Sequence, residues 1–517
     1  MTAFFARLAR LLERRKNGVL ACLLLVYCLD AGRRAAGLPL WFDEIFTFYI
    51  AKLSLGDMWA ALLTAADSQP PLGYLLTRAS HFAFGTGELA TRVPYLVSFG
   101  VMSACLFQFV AARLGPVYGF VAMLFAWTTS GYQFGYEARP YGLMLATSAL
   151  ALLCWRHAAR GQKGRAWALP GLALSLGAMV SSHYYAVLVF LPLGAGELVR
   201  SRKQRRADWA VWAAMAAGGT PLLAYLPLIQ AARNSFTGSF WSPVEWTDLI
   251  SLYVLLLYTA VVPVLSVTAF LLAQAWGRRG ADKVIAPAFP PEERVVLWTL
   301  ALLPPVAAVL AMMTTGAFVY RYVISAMIGI SALFAVMVHY VTRAQASRGA
   351  VVALILFCSY GVARLSGWSE SPRDGTGESA MLLQRLLQSD LPEELPIAVT
   401  APHLFIEAFH SAPEPLASRL VYLADPESAL EYLGFSTTEL NLLRLAPWAH
   451  LRVYGYGSFM ERNADFLLYH RPGHRYEWIT RKLADEDRQI TVLEQGSDFS
   501  ILRCCGGGLT VAAPDGQ

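Results

Sequence analysis

The sequence predicts a polytopic α-helical membrane protein with a small extracytoplasmic α/β domain at its C-terminal end. Of its 517 residues, 56% are hydrophobic and 15% charged, and mean hydropathy is positive, a composition outside that of ordinary soluble domains. Apolar runs of spanning length recur along the first two thirds of the chain, separated by short basic loops. From about residue 368 the chain becomes polar and rich in turn residues.

A spanning helix takes about 20 apolar residues, with about 17 as a practical minimum. Eleven segments are good candidates: 17–36, 92–112, 116–134, 139–157, 167–182, 184–199, 209–231, 249–275, 295–315, 323–342 and 350–366. A twelfth stretch, 70–85, opens with Pro70 and Pro71 and contains Arg78 and His81. Arg14, Arg15 and Lys16 ahead of an apolar run have the charge pattern of a signal peptide, but no small-residue cleavage site follows. The first segment is therefore expected to remain as an anchor.

Charge parity decides the doubtful stretch. The cluster Arg7, Arg10, Arg14, Arg15, Lys16 and the loop Arg156, Arg160, Lys163, Arg165 both belong in the cytosol by the positive-inside rule, so an even number of crossings separates them. Counting 70–85 gives an odd number, so that stretch is expected to lie in the interface without crossing. The loops Arg200, Arg202, Lys203, Arg205, Arg206, then Arg278, Arg279, Lys283, then Arg343 with Arg348, follow in phase. The last crossing puts the C-terminal domain outside, with the N-terminus cytosolic and the protein in the inner (plasma) membrane. The net charge of +6 is thus read as topology, and no nucleic-acid partner is expected.

The expected division is a transmembrane module, 1–367, whose first outer loop is 37–91, followed by an extracytoplasmic domain, 368–517. Within the latter, β-prone runs at 397–400, 419–423, 466–469 and 490–493 interleave with helical stretches such as 381–387. The seven cysteines are scattered and suggest neither a disulfide framework nor zinc spacing. Without a following helix, the run 506–508 of glycines reads as the start of a tail, not a phosphate loop.

With this topology four polar constellations fall on the outer face: Asp43 and Glu44 with Asp67; Glu137, Arg139 and Tyr141; His183, Tyr184 and Tyr185; and Tyr320, Arg321 and Tyr322. Each has a bland interpretation. Asp43 and Glu44 suit the first turn of an amphipathic helix, Glu137 and Arg139 a structural ion pair, the tyrosines an interfacial belt, and Arg321 snorkelling to headgroups. Together they favour chemistry, because two arginines outside run against the charge rule and call for an anionic ligand. Glycosyl transfer from a lipid-phosphate sugar fits this set. A hydroxyl attacking an anomeric carbon needs a carboxylate to take its proton, and the departing phosphate needs cations and donors. Arginine forks suit the phosphate.

The ordered set Asp43-Glu44, Asp67-Ser68-Gln69-Pro70-Pro71-Leu72-Gly73-Tyr74-Leu75-Leu76, Arg92-Val93-Pro94 and Glu137-Ala138-Arg139-Pro140-Tyr141 resembles the membrane glycosyltransferases of the protein mannosyltransferase and RgtA/B/C/D-like superfamily, of GT-C fold. The resemblance is strongest over 40–145 and thinner through His183-Tyr184-Tyr185 and Arg321-Tyr322. It implies eleven to thirteen helices, outer-loop helices along the membrane, a polyprenyl-phosphate sugar donor and an extracytoplasmic acceptor that is a lipid, a glycan or a protein. By that likeness Asp43 is the catalytic base of an inverting transfer and Glu44 assists it. Arg139, Arg321, His183, Tyr141 and Tyr322 meet the donor phosphate, with Asp67, Gln69, Glu137 and Tyr184 in support.

One departure matters: relatives that modify lipid A carry a lysine just before the loop proline, where this chain has Gln69. That weakens lipid A as acceptor. Carboxylates and His183 are also ligand types for a divalent metal, but neither a metal nor any other cofactor is predicted. Partners are the donor, the acceptor and membrane lipids. The competing class is a secondary transporter or lipid flippase, against which stand the clustering of polar groups on one face and the lack of hydropathy symmetry between halves. A third reading is a noncatalytic assembly protein.

Overall fold

The computed structural model describes residues 2–161, 164–236, 240–276, 288–314, 316, 318–366 and 377–505. The basic loop Arg278, Arg279, Lys283, together with Lys163 and the glycine run 506–508, lies outside the described residues. The chain forms two compact units. The first takes in Met1–Leu38, Gln69–Leu226 and Val244–Ser371, and the second Pro39–Ser68, Pro227–Pro243 and Pro372–Gln517. Residues 39–68 of the expected first outer loop therefore lie in the second unit.

Among the described residues the expected apolar segments are largely helical, and four helices are long and apolar enough to cross a membrane: Glu88–Leu114, Tyr141–Ala159, Tyr253–Ala273 and Ala346–Ser366. Two bent pairs, Trp209–Ala224 with Leu226–Ser235 and Pro291–Ala301 with Leu303–Thr314, make six if each is one span. The helix Leu72–Phe84 has 13 residues, about 20 Å, which is short of the roughly 30 Å hydrocarbon core. Gly115, at φ 92, makes the turn between Glu88–Leu114 and the Pro116–Thr128 helix, whose first position is the proline. At Gly329 a Cβ would lie 2.7 Å from the Leu297 carbonyl oxygen, so the close approach of helices Ala326–Val341 and Pro291–Ala301 requires the missing side chain.

Several buried charges pair with one another or bond to helix ends. Arg92, fully buried, donates to the Ala35 carbonyl at 2.9 Å and the Leu38 carbonyl at 2.5 Å, supplying partners where the helix Lys16–Gly37 runs out of its own. Glu293, also buried, holds Arg113 at 2.6 Å, Arg156 at 3.6 Å and Arg160 at 3.9 Å. Asp208 holds Arg165 at 2.6 Å and Arg200 at 2.8 Å, and Arg200 also meets Glu197 at 2.6 Å. Arginines that argue for topology in the sequence thus also tie helix ends together.

The second unit is built on six strands: β1 Ile397–Val399, β2 Leu420–Ala424, β3 Val453–Gly455, β4 Asp465–His470, β5 Gln489–Gln495 and β6 Ser500–Cys505. Their order is β3-β2-β1-β4-β6-β5. The pairs β3·β2, β2·β1 and β1·β4 are parallel, while β6 lies antiparallel between β4 and β5. Strands β1 and β2 are buried throughout, as strands covered on both faces must be. The expected runs at 397–400, 419–423, 466–469 and 490–493 correspond to β1, β2, β4 and β5, and the helix at 381–387 to Glu378–Gln388.

Candidate active site

In the first unit, a 3-10 turn Ser130–Gly135 leads through 136–140 into the helix Tyr141–Ala159. Pro140, with φ −64, starts that helix. The Arg139 amide donates to the Glu137 carbonyl at 2.8 Å, which folds the acid and the base into one tight turn. Both side chains are buried, and Tyr141 is 1% exposed. Across from them, the helix Arg165–Ser182 stops at His183. A second 3-10 turn, Tyr320–Val323, brings in Arg321 and Tyr322.

These three segments meet. The His183 ring lies 4.9 Å from that of Tyr322 and 5.7 Å from that of Tyr141, Tyr185 stacks against Tyr322 at 4.9 Å, and the Arg321 guanidinium sits 5.6 Å over the Tyr141 ring. Arg139 and Arg321 are the two cations whose charge is felt at the His183 imidazole. The charges of Arg321 and Glu137 are felt, with opposite sign, at Tyr320, which is hydrogen-bonded to Gln133. Thus Glu137, Arg139, Tyr141, His183, Arg321 and Tyr322 share one buried site, with Tyr184 half-buried in the turn beside His183.

The histidine has a defined tautomer. The Tyr185 amide donates to its Nδ1 at 3.1 Å, so in the neutral ring the proton is on Nε2. That atom is buried and has no hydrogen-bond partner among the described residues. A buried N–H donor between two guanidinium groups is suited to an anionic oxygen. Gln69, at the start of the Pro70-Pro71 turn, is buried, and its Oε1 has no hydrogen-bond partner among the described residues.

In the second unit, Asp43 and Glu44 occupy the first turn of the helix Phe42–Lys52. They differ in situation. Glu44 is fully buried and accepts the Trp41 amide at 3.3 Å, closing the helix start as an acid at this position can. Asp43 is half-buried. The helix is fixed to the domain by Phe42, whose ring lies 4.1 Å from that of His403 and whose amide donates to Glu407 at 3.1 Å. His403 in turn lies 4.3 Å from the Tyr476 ring. Burial, then the charges of His474 and Arg475, lower the His403 imidazole to about 3, so it stays neutral. Asp67 is buried and accepts the Ser68 amide at 2.7 Å. Among the described residues there is no group of three metal-ligating side chains.

Sequence reasoning missed a second polar cluster in the first unit. Asp30 accepts from Tyr132 at 2.7 Å, from Arg34 at 3.3 Å and from Tyr360 at 3.3 Å, and Arg364 stacks 4.3 Å over Tyr132. The signal was present: Asp30, Arg33 and Arg34 are charges inside or beside the first apolar run, and charges there are rarely idle.

Residues 68–230 match the family model described as dolichyl-phosphate-mannose-protein mannosyltransferase. Comparison with curated proteins gives no match. Among solved structures, ArnT from Cupriavidus metallidurans in the apo state aligns with a TM-score of 0.58 at 11% identity, over 95% of this chain and 98% of that one. The same protein bound to undecaprenyl phosphate aligns with a TM-score of 0.58 at 12% identity, over 94% and 98%. At such identities the likeness is one of fold.

Proposed function

We propose that the chain, whose residues 68–230 match the mannosyltransferase model and whose fold is like that of ArnT, is a GT-C glycosyltransferase that moves a sugar from a polyprenyl-phosphate donor to an extracytoplasmic acceptor. The observation that carries this reading is the gathering of Arg139, Arg321 and the Nε2 donor of His183 between Tyr141 and Tyr322. Two cations and one directed N–H in a buried setting match a lipid phosphate. The undecaprenyl phosphate held by the structural neighbour supports the same ligand class.

In this mechanism Asp43 takes the proton of the acceptor hydroxyl as its oxygen attacks the anomeric carbon, and the carbon–oxygen bond to the phosphate breaks with inversion. The polyprenyl phosphate leaves with the bonding pair, and its charge is met by Arg139, Arg321 and His183. Glu44 holds the helix start that presents Asp43. Tyr141 and Tyr322 wall the head, while Glu137, Asp67, Gln69 and Tyr184 support the loops. The chain lies in the inner membrane with its N-terminus in the cytosol.

The test is turnover by purified protein in lipid discs, measured as release of polyprenyl phosphate from a polyprenyl-phosphate sugar. Asp43→Asn keeps size and polarity but cannot accept the proton, so kcat is expected to fall about 100- to 10,000-fold. Glu44→Gln still offers an oxygen to the Trp41 amide and is expected to retain activity within about tenfold. Wild-type turnover by a folded Asp43→Asn protein would remove Asp43 from the mechanism.

A further inference from the structure

A groove of about 520 Å³ in the first unit runs along the helix Ala346–Ser366. On that helix its wall extends from Val351 to Arg364, about 20 Å at 1.5 Å per residue, which exceeds the ~15 Å depth of one leaflet's hydrocarbon. Trp127, Val262 and Ser266 contribute to the other walls. Val262 and Val362 are largely exposed, as is Leu365 beside the groove's end. In a bilayer these residues would face lipid.

The end of the groove is cationic. Arg364 lies in the helix's last turn and is stacked on Tyr132 and, at 5.8 Å, on Tyr360. Its Nε and Nη1 are buried and have no hydrogen-bond partner among the described residues. The carboxylate of this corner, Asp30, is already engaged by Arg34, Tyr132 and Tyr360. Buried N–H groups of a guanidinium left without acceptors are costly. A ligand that brings an anionic oxygen to Arg364 and a hydrocarbon chain to the groove meets both needs.

From this juxtaposition we propose that the groove is a binding site for an anionic glycerophospholipid, separate from the donor cluster. Charge favours this lipid over a polyprenyl monophosphate. One guanidinium balances the single charge of a phosphodiester, whereas a monophosphate carries about −1.5 to −2 at neutral pH. The groove's exposed apolar margin admits what the bilayer holds in bulk.

The full chain, purified in mild detergent and stripped of lipid, is titrated with phosphatidylglycerol in mixed micelles, with binding read by native mass spectrometry. Wild-type protein is expected to take up one lipid with preference over zwitterionic phosphatidylcholine. Arg364→Gln is expected to weaken uptake at least about tenfold. Ser359→Trp fills the groove, leaves the guanidinium in place, and is expected to weaken uptake as well. Equal uptake by wild type and the folded variants overturns the site. Arg364-dependent binding of polyprenyl phosphate in preference to phosphatidylglycerol also overturns it, by assigning the groove to the donor.

Discussion

At the scale of single residues, the candidate site separates groups that look alike in the sequence. Asp43 and Glu44 are adjacent acids, yet Glu44 is fully buried as a cap on the Trp41 amide while Asp43 is half-buried. Neighbouring acids could be found in the sequence, but not told apart, because the distinction comes from helix phase and from what covers each side chain. His183 is similar. Its place between two apolar runs was legible, whereas the Tyr185 amide that fixes its tautomer belongs to a local turn that periodicity does not reveal. The tautomer yields a test. His183→Gln keeps an N–H donor, while His183→Phe keeps a ring and removes the donor. If Nε2 meets the donor phosphate, His183→Phe lowers kcat/KM for the lipid donor by about 10- to 100-fold, and His183→Gln recovers most of it. Equal activity of His183→Phe and wild type would exclude this contact.

At the scale of elements, the helices and most strands were legible and two strands were not. Apolar runs and β-branched clusters mark β1, β2 and β4, which are largely buried, and β5, which is an exposed edge strand. Edge strand β3 is as short as β1 but is not buried and ends in Gly455, so no apolar run marks it. In β6, Arg503 and the Cys504-Cys505 pair obscure a strand that is specified by pairing on both sides with β4 and β5, a long-range cause. One helix-to-sheet anchor has a pH signature. Glu439, on the helix Thr437–Ala449, is fully buried. It accepts from Tyr422 of β2, from Trp478 Nε1 at 3.1 Å and from the Asp425 amide at 3.3 Å. Burial outweighs these hydrogen bonds and raises its carboxyl from 4.5 to about 7. The folded state therefore holds a proton that the unfolded chain releases above 4.5. Stability of the second unit is full below that pH and falls as pH rises toward about 7, by up to about 3 kcal/mol. Thermal unfolding of the purified protein between pH 4.5 and 8 reads this directly. Glu439→Gln is expected to flatten the profile over that window, and an unchanged slope in the variant would assign the dependence to other groups.

At the scale of the whole molecule, topology was argued from basic loops alone, and the structure gives several of those arginines a second occupation. Arg156 and Arg160 converge with Arg113 on Glu293, and Arg165 and Arg200 on Asp208, Arg113 alone lying outside the loops that fixed topology. Ion pairs of this kind hold helix ends in register on either side of a membrane, so their presence is neutral toward orientation, and the positive-inside count needs an independent check. The proposed chemistry supplies the stake, because a polyprenyl-phosphate sugar serves an extracytoplasmic acceptor only if the arginines that break the charge rule face outward. Gly87 is exposed beside the helix Glu88–Leu114, and Gln204 is exposed at the end of the helix Phe190–Gln204. In a background with the seven native cysteines replaced, Gly87→Cys is expected to react in intact cells with a membrane-impermeant maleimide. Gln204→Cys is expected to react only after the membrane is opened. Labelling of Gly87→Cys only from the cytosolic side would invert the chain and move Arg139, Arg321 and His183 away from any outer acceptor, leaving a transporter as the better account of their burial.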